Sequence, residues 1–173
     1  ATVNLVDVTL DTLVDSVERA DVATIFLDAS IASSDLPGNA DLPGISAEQF
    51  AALISPKVQN YSGSHVRVED TGSNFAENSD TALLEDFAER IAQAQSEDPG
   101  FQVAEVSLEI LDANPREAGL ASLFIEFATD LGLPIRDVIV RLDNSVPNES
   151  YEGLSVREAI AIVNAENPPA DTS

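Results

Sequence analysis

Val106-Ser107-Leu108-Glu109-Ile110, then Asn114-Pro115-Arg116-Glu117 opening a run over residues 115–131, then Val138-Ile139-Val140-Arg141-Leu142, reads as strand, helix and strand. Val106, Leu108 and Ile110 alternate with polar neighbours at the two-residue period of a pleated strand. Asn114 offers a capping oxygen, Pro115 has the fixed φ that suits a first helical position, and Glu117 stands three residues beyond the cap, so a helix starts here. Leu120, Leu123, Phe124, Phe127 and Leu131 are expected on its buried face, and Gly132 is expected to close it. Val138, Val140 and Leu142 alternate again. Phe101 and Val103 alternate in the opposite phase to Val106, which predicts a bulge near Ala104-Glu105.

The same grammar extends in both directions. Upstream, Val66 and Val68 share one face of a short strand, His65-Val66-Arg67-Val68-Glu69. A polar loop over residues 70–79 is expected next, then a helix with Leu83, Leu84, Phe87 and Ile91 on one face, stopped by Asp98-Pro99-Gly100. Downstream, Pro147 and Gly153 mark a loop, and Ser155-Val156-Arg157-Glu158 reads as a capping box before Ile160 and Val163. From residue 64 the order is strand, helix, strand, helix, strand, helix, which points to an α/β (or α+β) layer with right-handed crossovers.

The first 60 residues are expected to be helical and to pack on that layer. Leu10, Leu13, Val14 and Val17 form a stripe over residues 9–20, and Asp21 is expected to cap a second short helix with the stripe Val22, Ile25, Phe26 and Ala29. Asp-Leu-Pro-Gly occurs twice within residues 33–44, which predicts a surface loop. Ser46-Ala47-Glu48-Gln49 fits a capping box for a helix through Phe50, Leu53 and Ile54, ended by Pro56. At 173 residues the chain is expected to form a single domain (1–173), with a helical N-terminal segment over residues 1–60, an α/β segment over 61–166 and a tail at 167–173.

Composition narrows the function. The chain has 31 Asp+Glu against 8 Lys+Arg, a net charge of −23, one His and no Cys, Met or Trp, yet it is 44% hydrophobic. That hydrophobic content supports a packed core despite the charge. Absence of cysteine excludes disulfides, thiolate nucleophiles and Cys-ligated metal sites. No window approaches the roughly 18 uninterrupted apolar residues of a membrane span, and Ala1-Thr2-Val3-Asn4 lacks the basic and apolar regions of a signal peptide. The charge repels phosphates, so nucleic acid and anionic lipid are poor partners. Lys57 is the only lysine among the cations. Acidic excess with near-absent lysine is the pattern expected of a protein working in molar salt, where the Debye length falls to about 3 Å and like charges are screened.

Specific chemistry has few footholds. His65, the only histidine, is the first candidate for acid–base work, but it is expected on the solvent face of its strand. No Gly-x-Ser-x-Gly elbow singles out a serine, and no glycine-rich phosphate loop precedes Lys57. Asp35, Asn39 and Asp41 are oxygen ligands on one loop without the Asp-x-Asp-x-Asp-Gly spacing of a calcium loop. Asn60-Tyr61-Ser62 and Asn148-Glu149-Ser150 match the glycosylation sequon, a motif short enough to recur by chance. No catalytic, cofactor-binding or metal-binding residue is assigned, and no cofactor is expected.

Residues 138–144, together with Gly153-Leu154-Ser155-Val156-Arg157-Glu158-Ala159-Ile160 and Asn164-Ala165-Glu166-Asn167-Pro168, resemble the "SLREAI" segment of secreted surface proteins. Val156 stands where that family has Leu, and Pro168-Pro169 where it has Pro-Gly. The resemblance implies a cap that precedes a right-handed parallel β-helix, and it implies no catalytic residues.

The expected function is that of a non-catalytic structural or assembly protein of halophilic origin. A virion neck or tail component, or head–tail connector, is expected first, forming oligomers with itself or with neighbouring structural proteins. A secreted or cell-surface module related to β-helix proteins is the second expectation, and a cytoplasmic enzyme or accessory protein using His65 the third. The interface is expected on the apolar faces of the helices at 9–29 or 46–54.

Overall fold

The structure is a computed structural model, and it describes residues 1–37, 41–62, 65–78, 80–99, 105–133, 135–143, 158, 160–161 and 164–165. Strands β1 (Val3–Val8) and β2 (Val22–Leu27) flank helix α1 (Leu10–Glu18). Helices α2 (Ala29–Ala32) and α3 (Ala47–Leu53) follow, then β3 (His65–Thr71), α4 (Gly72–Glu77), α5 (Thr81–Glu97), β4 (Glu105–Ala113), α6 (Pro115–Asp130) and β5 (Ile135–Leu142). β3, β4 and β5 form a parallel sheet in that order, and β1 pairs with β2, also in parallel. The expected α/β class therefore holds.

Parallel strands need crossovers, and the helices supply them. Val66 pairs with Val106 and Val68 with Leu108, and these four side chains lie in the core with Ile110. The predicted start of α6 is present in full: Glu117 N donates to Asn114 Oδ1 at 2.9 Å, and Asn114 N donates to Glu117 Oε1 at 3.1 Å. Its end is present too. Gly132 adopts φ +80°, its N–H donates to Thr129 O at 2.9 Å, and Leu133 N donates to Ala128 O at 3.0 Å, the paired bonds of a Schellman motif. The Ser46–Gln49 box on α3 also forms.

Several expectations need correction. The face of α6 is only partly its large residues: Phe124 is buried and Phe127 and Leu131 pack against the core as expected, whereas Leu120 and Leu123 stay 37% and 47% exposed and Ala118, Gly119, Ala121 and Ala128 are buried instead. Small side chains share that face, which lets the backbone of α6 approach its neighbours closely. The polar loop expected at 70–79 contains α4. Its cap is Thr71, whose hydroxyl accepts from Asn74 N at 3.2 Å, and its anchor is buried Phe75.

The bulge expected near Ala104-Glu105 falls beside residues 101–104, which lie outside the described residues; a bulge within β4 falls at Asp112. Ile110 pairs with Val140 and Ala113 with Leu142, so β4 takes three steps where β5 takes two, with Asp112 at φ 49°. Asp137 in β5 (φ 51°) and Asp7 in β1 (φ 55°) sit at further register shifts. Asp is among the few side chains that tolerate left-handed backbone, because its short carboxylate bonds locally.

The N-terminal third is not all helical. Residues 22–27 form β2 rather than a helix capped by Asp21. Val3 pairs with Val22 and Asn4 with Thr24, so Ala23 is an extra residue in β2. That extra residue shifts the phase and buries Val22, Ile25 and Leu27, a spacing that imitates a helical stripe. The loop at 33–44 is not wholly at the surface. Leu36 and Ile45 are buried beside β3: Leu36 N donates to His65 O at 2.8 Å and Ile45 N to Arg67 O at 2.9 Å. Nor do the helices at 9–29 and 46–54 stand outside the core as docking faces, since Leu13, Phe50 and Leu53 join Ile25, Val66 and Leu108 in one cluster. Residues 155–157 of the second capping box, Val163 and the tail at 167–173 lie outside the described residues; Glu158, Ile160 and Ala161 are helical.

Candidate functional site

His65 opens β3 and is half-buried, and its Nε2 lies 3.4 Å from Ser107 Oγ on the neighbouring strand. A base and a hydroxyl thus meet, which the sequence did not foretell, since 42 residues separate them. Nucleophilic catalysis also requires a group that orients the base. Ser107 stands mid-strand in β4 rather than on a strained turn.

Carboxylates gather in a cleft of about 370 Å³ lined by Ser46, Glu48, Asp70, Asn74, Glu77 and Asn78. Asp70 dominates it through its bonds. Its Oδ2 accepts from Ala47 N at 2.9 Å, and its Oδ1 accepts from Thr71 N and from Asn74 Nδ2, each at 2.8 Å. One side chain therefore ties the N-terminus of α3 to β3 and α4, where its negative charge also suits the helix dipole. Among the described residues no three His, Asp or Glu side chains come together to hold a metal ion. Asp35 and Asp41 each have a partner, and Asn39 lies outside the described residues.

Tyr61 has a buried hydroxyl that finds no hydrogen-bond partner. Burial, and secondarily the Asp35 carboxylate, push this phenol well above the ordinary tyrosine range, so it stays neutral. Its neighbour Asn60, the first residue of a sequon, is already engaged: its Oδ1 accepts from Leu27 N at 2.7 Å and its Nδ2 donates to Leu27 O at 3.2 Å. Both polar atoms of that amide are thereby occupied within the folded chain. Asn148 lies outside the described residues.

A second recess is apolar. A groove of about 660 Å³ runs between α6, β5 and the helical turn near residue 160, lined by Ser122, Ile125, Glu126, Val138, Val140, Ile160, Ala161 and Asn164. Val138 is 37% and Ile160 57% exposed. Its chemistry suits an apolar contact framed by a few polar groups rather than bond making. The sequence pattern missed it because Ile125 lies outside the face expected for α6. No helix among the described residues is long and apolar enough to cross a membrane. Comparison with known proteins found no matching family model, no matching curated protein and no matching solved structure.

Proposed function

We propose that this chain is a non-catalytic structural module from a high-salt organism, acting through apolar contact with copies of itself or with neighbouring structural proteins. The observation that carries this reading is the groove between α6 and β5, where Val138 and Ile160 remain exposed on a chain of net charge −23. In molar salt, repulsion between acidic surfaces is screened while apolar association is preserved. The polar candidates support a non-catalytic role from the other side: Asp70 is engaged in capping, and His65 pairs with a mid-strand serine.

Two settings fit such a module, a virion neck or tail and a cell surface. One observation favours the surface. Val138 and Val140 of β5 and, from the later part of the SLREAI-like segment, Ile160, Ala161 and Asn164 line the same groove, and every strand pairing named above is parallel. Both features are compatible with the cap that the resemblance implies.

Light scattering on a sizing column tests the shared reading. Defined oligomers are expected in molar KCl, and Val138→Glu or Ile160→Glu should disperse them. A strictly monomeric chain in molar salt overturns the proposal. A reading frame set among capsid genes would move the setting from cell surface to virion.

A further inference from the structure

Helices α1 and α3 both end without a basic residue in the last turn, so their terminal carbonyls lack the local cation that would favour them. Both receive one from elsewhere in the chain. The Lys57 ammonium donates to Val17 O at 2.7 Å and to Arg19 O at 2.9 Å, at the end of α1. The Arg90 guanidinium, on α5, donates to Ile54 O at the end of α3 and to Val58 O at 3.3 Å. Arg90 is itself steadied by Asp86 at 3.1 Å and by the Phe87 ring, 5.5 Å away.

Residues 54–60 carry one of these cations, accept from the other, and also border β2. Ile25 N donates to Lys57 O at 2.8 Å, Gln59 N donates to Ile25 O at 3.0 Å, and Asn60 bonds both main-chain groups of Leu27. We propose that residues 54–60 are a strap holding the β1–α1–β2 unit to α5, fastened by Lys57 and Arg90 through main-chain carbonyls rather than carboxylates. This accounts for the one lysine the chain keeps. An exposed ion pair such as Arg19–Asp21 weakens as salt screens it, whereas the part-buried bonds from Lys57 to Val17 O and from Arg90 to Ile54 O and Val58 O are screened much less.

Hydrogen–deuterium exchange on the full chain tests this, in molar KCl and in the lowest salt at which the parent stays folded. The variants are Lys57→Met and Arg90→Met. Arg116→Met is the charge control, because Arg116 is exposed and its loss removes one positive charge. Lys57→Met should raise exchange about tenfold over residues 10–27 and leave 105–130 unchanged, and Arg90→Met should do so over 47–60. Both effects should survive in molar salt. Exchange equal to that of Arg116→Met, a uniform rise along the chain, or an effect that vanishes in molar salt would each overturn the strap. Should Lys57→Met fail to fold, Lys57→Gln, which retains a donor but no charge, is read by the same criteria.

Discussion

Asn60 replaces a strand partner for Leu27: its amide meets both the N–H and the C=O of that residue, at 2.7 and 3.2 Å, across 33 positions of sequence. The side chain thereby continues the edge of β2 beyond the single bridge from Ile25 to Val58. Asn60→Ala strips both partners from a part-buried peptide group and should destabilise the chain by about 1–3 kcal/mol. Asn60→Asp keeps the acceptor and loses the donor, so it should fall between Ala and the parent. Urea unfolding in molar KCl measures both, and an Ala variant as stable as the parent would remove this role.

Tyr61 sets an alkaline limit. The folded chain holds the phenol proton above the ordinary value of about 10, whereas the unfolded chain releases it near that value. Above that pH the folded state binds more protons, so this contribution is complete below pH of about 10 and is lost as pH rises further. Tyr61→Phe removes the titration and also a buried hydroxyl without a partner. The variant should match or exceed parent stability at neutral pH and resist alkali better, as followed by circular dichroism from pH 8 to 12.

Asp112 and Asp137 should respond to substitution through backbone shape more than through charge. Asn, Gly and Val each remove the same carboxylate, so comparing them in molar salt isolates the left-handed conformation at φ 49° and 51°. Gly and Asn should be neutral or slightly stabilising at Asp112. Val, whose branched Cβ resists positive φ, should cost about 1–2 kcal/mol. Equal stability of all three variants would mean that the bulge relaxes.

These positions also explain what the sequence reveals. Capping announces itself locally, which is why Ser46, Asn114 and Gly132 mark their helix ends within a few residues. Alternation fails where a strand inserts a residue. Ala23 turns the burial of Val22, Ile25 and Leu27 into an apparent helical stripe, and Asp112 leaves no trace in hydropathy. Helix α6 misleads for another reason: close packing rewards Ala118, Ala121 and Ala128, and residue size is a poor guide to burial when backbones approach. The site features are less legible still. His65 and Ser107, the groove between Ile125 and Val138, and the Asp70 link to α3 all join residues from different elements, brought together only by strand register.

Gly44 closes the second Asp-Leu-Pro-Gly copy and tests whether that turn is spacer or structure. A Cβ there would lie 2.8 Å from Arg67 O and equally close to the nitrogen and Cβ of Glu69. The obstruction is largely the main chain of β3, which cannot rotate aside. Gly44→Ala should therefore cost about 1–3 kcal/mol and expose the amides of Ile45 and Glu69, which donate to Arg67 O and Ile45 O at 2.9 Å each. Gly119→Ala is the instructive contrast. Its Cβ would meet mainly Glu158 Cγ, on a side chain that can turn away, and alanine is favoured over glycine in a helix interior by about 1 kcal/mol. Gly119→Ala should be neutral or stabilising in the same urea titration. If both alanines behave alike, the turn at Gly44 has room to move, and the bridge from Ile45 to Val68 does not fix the loop to β3.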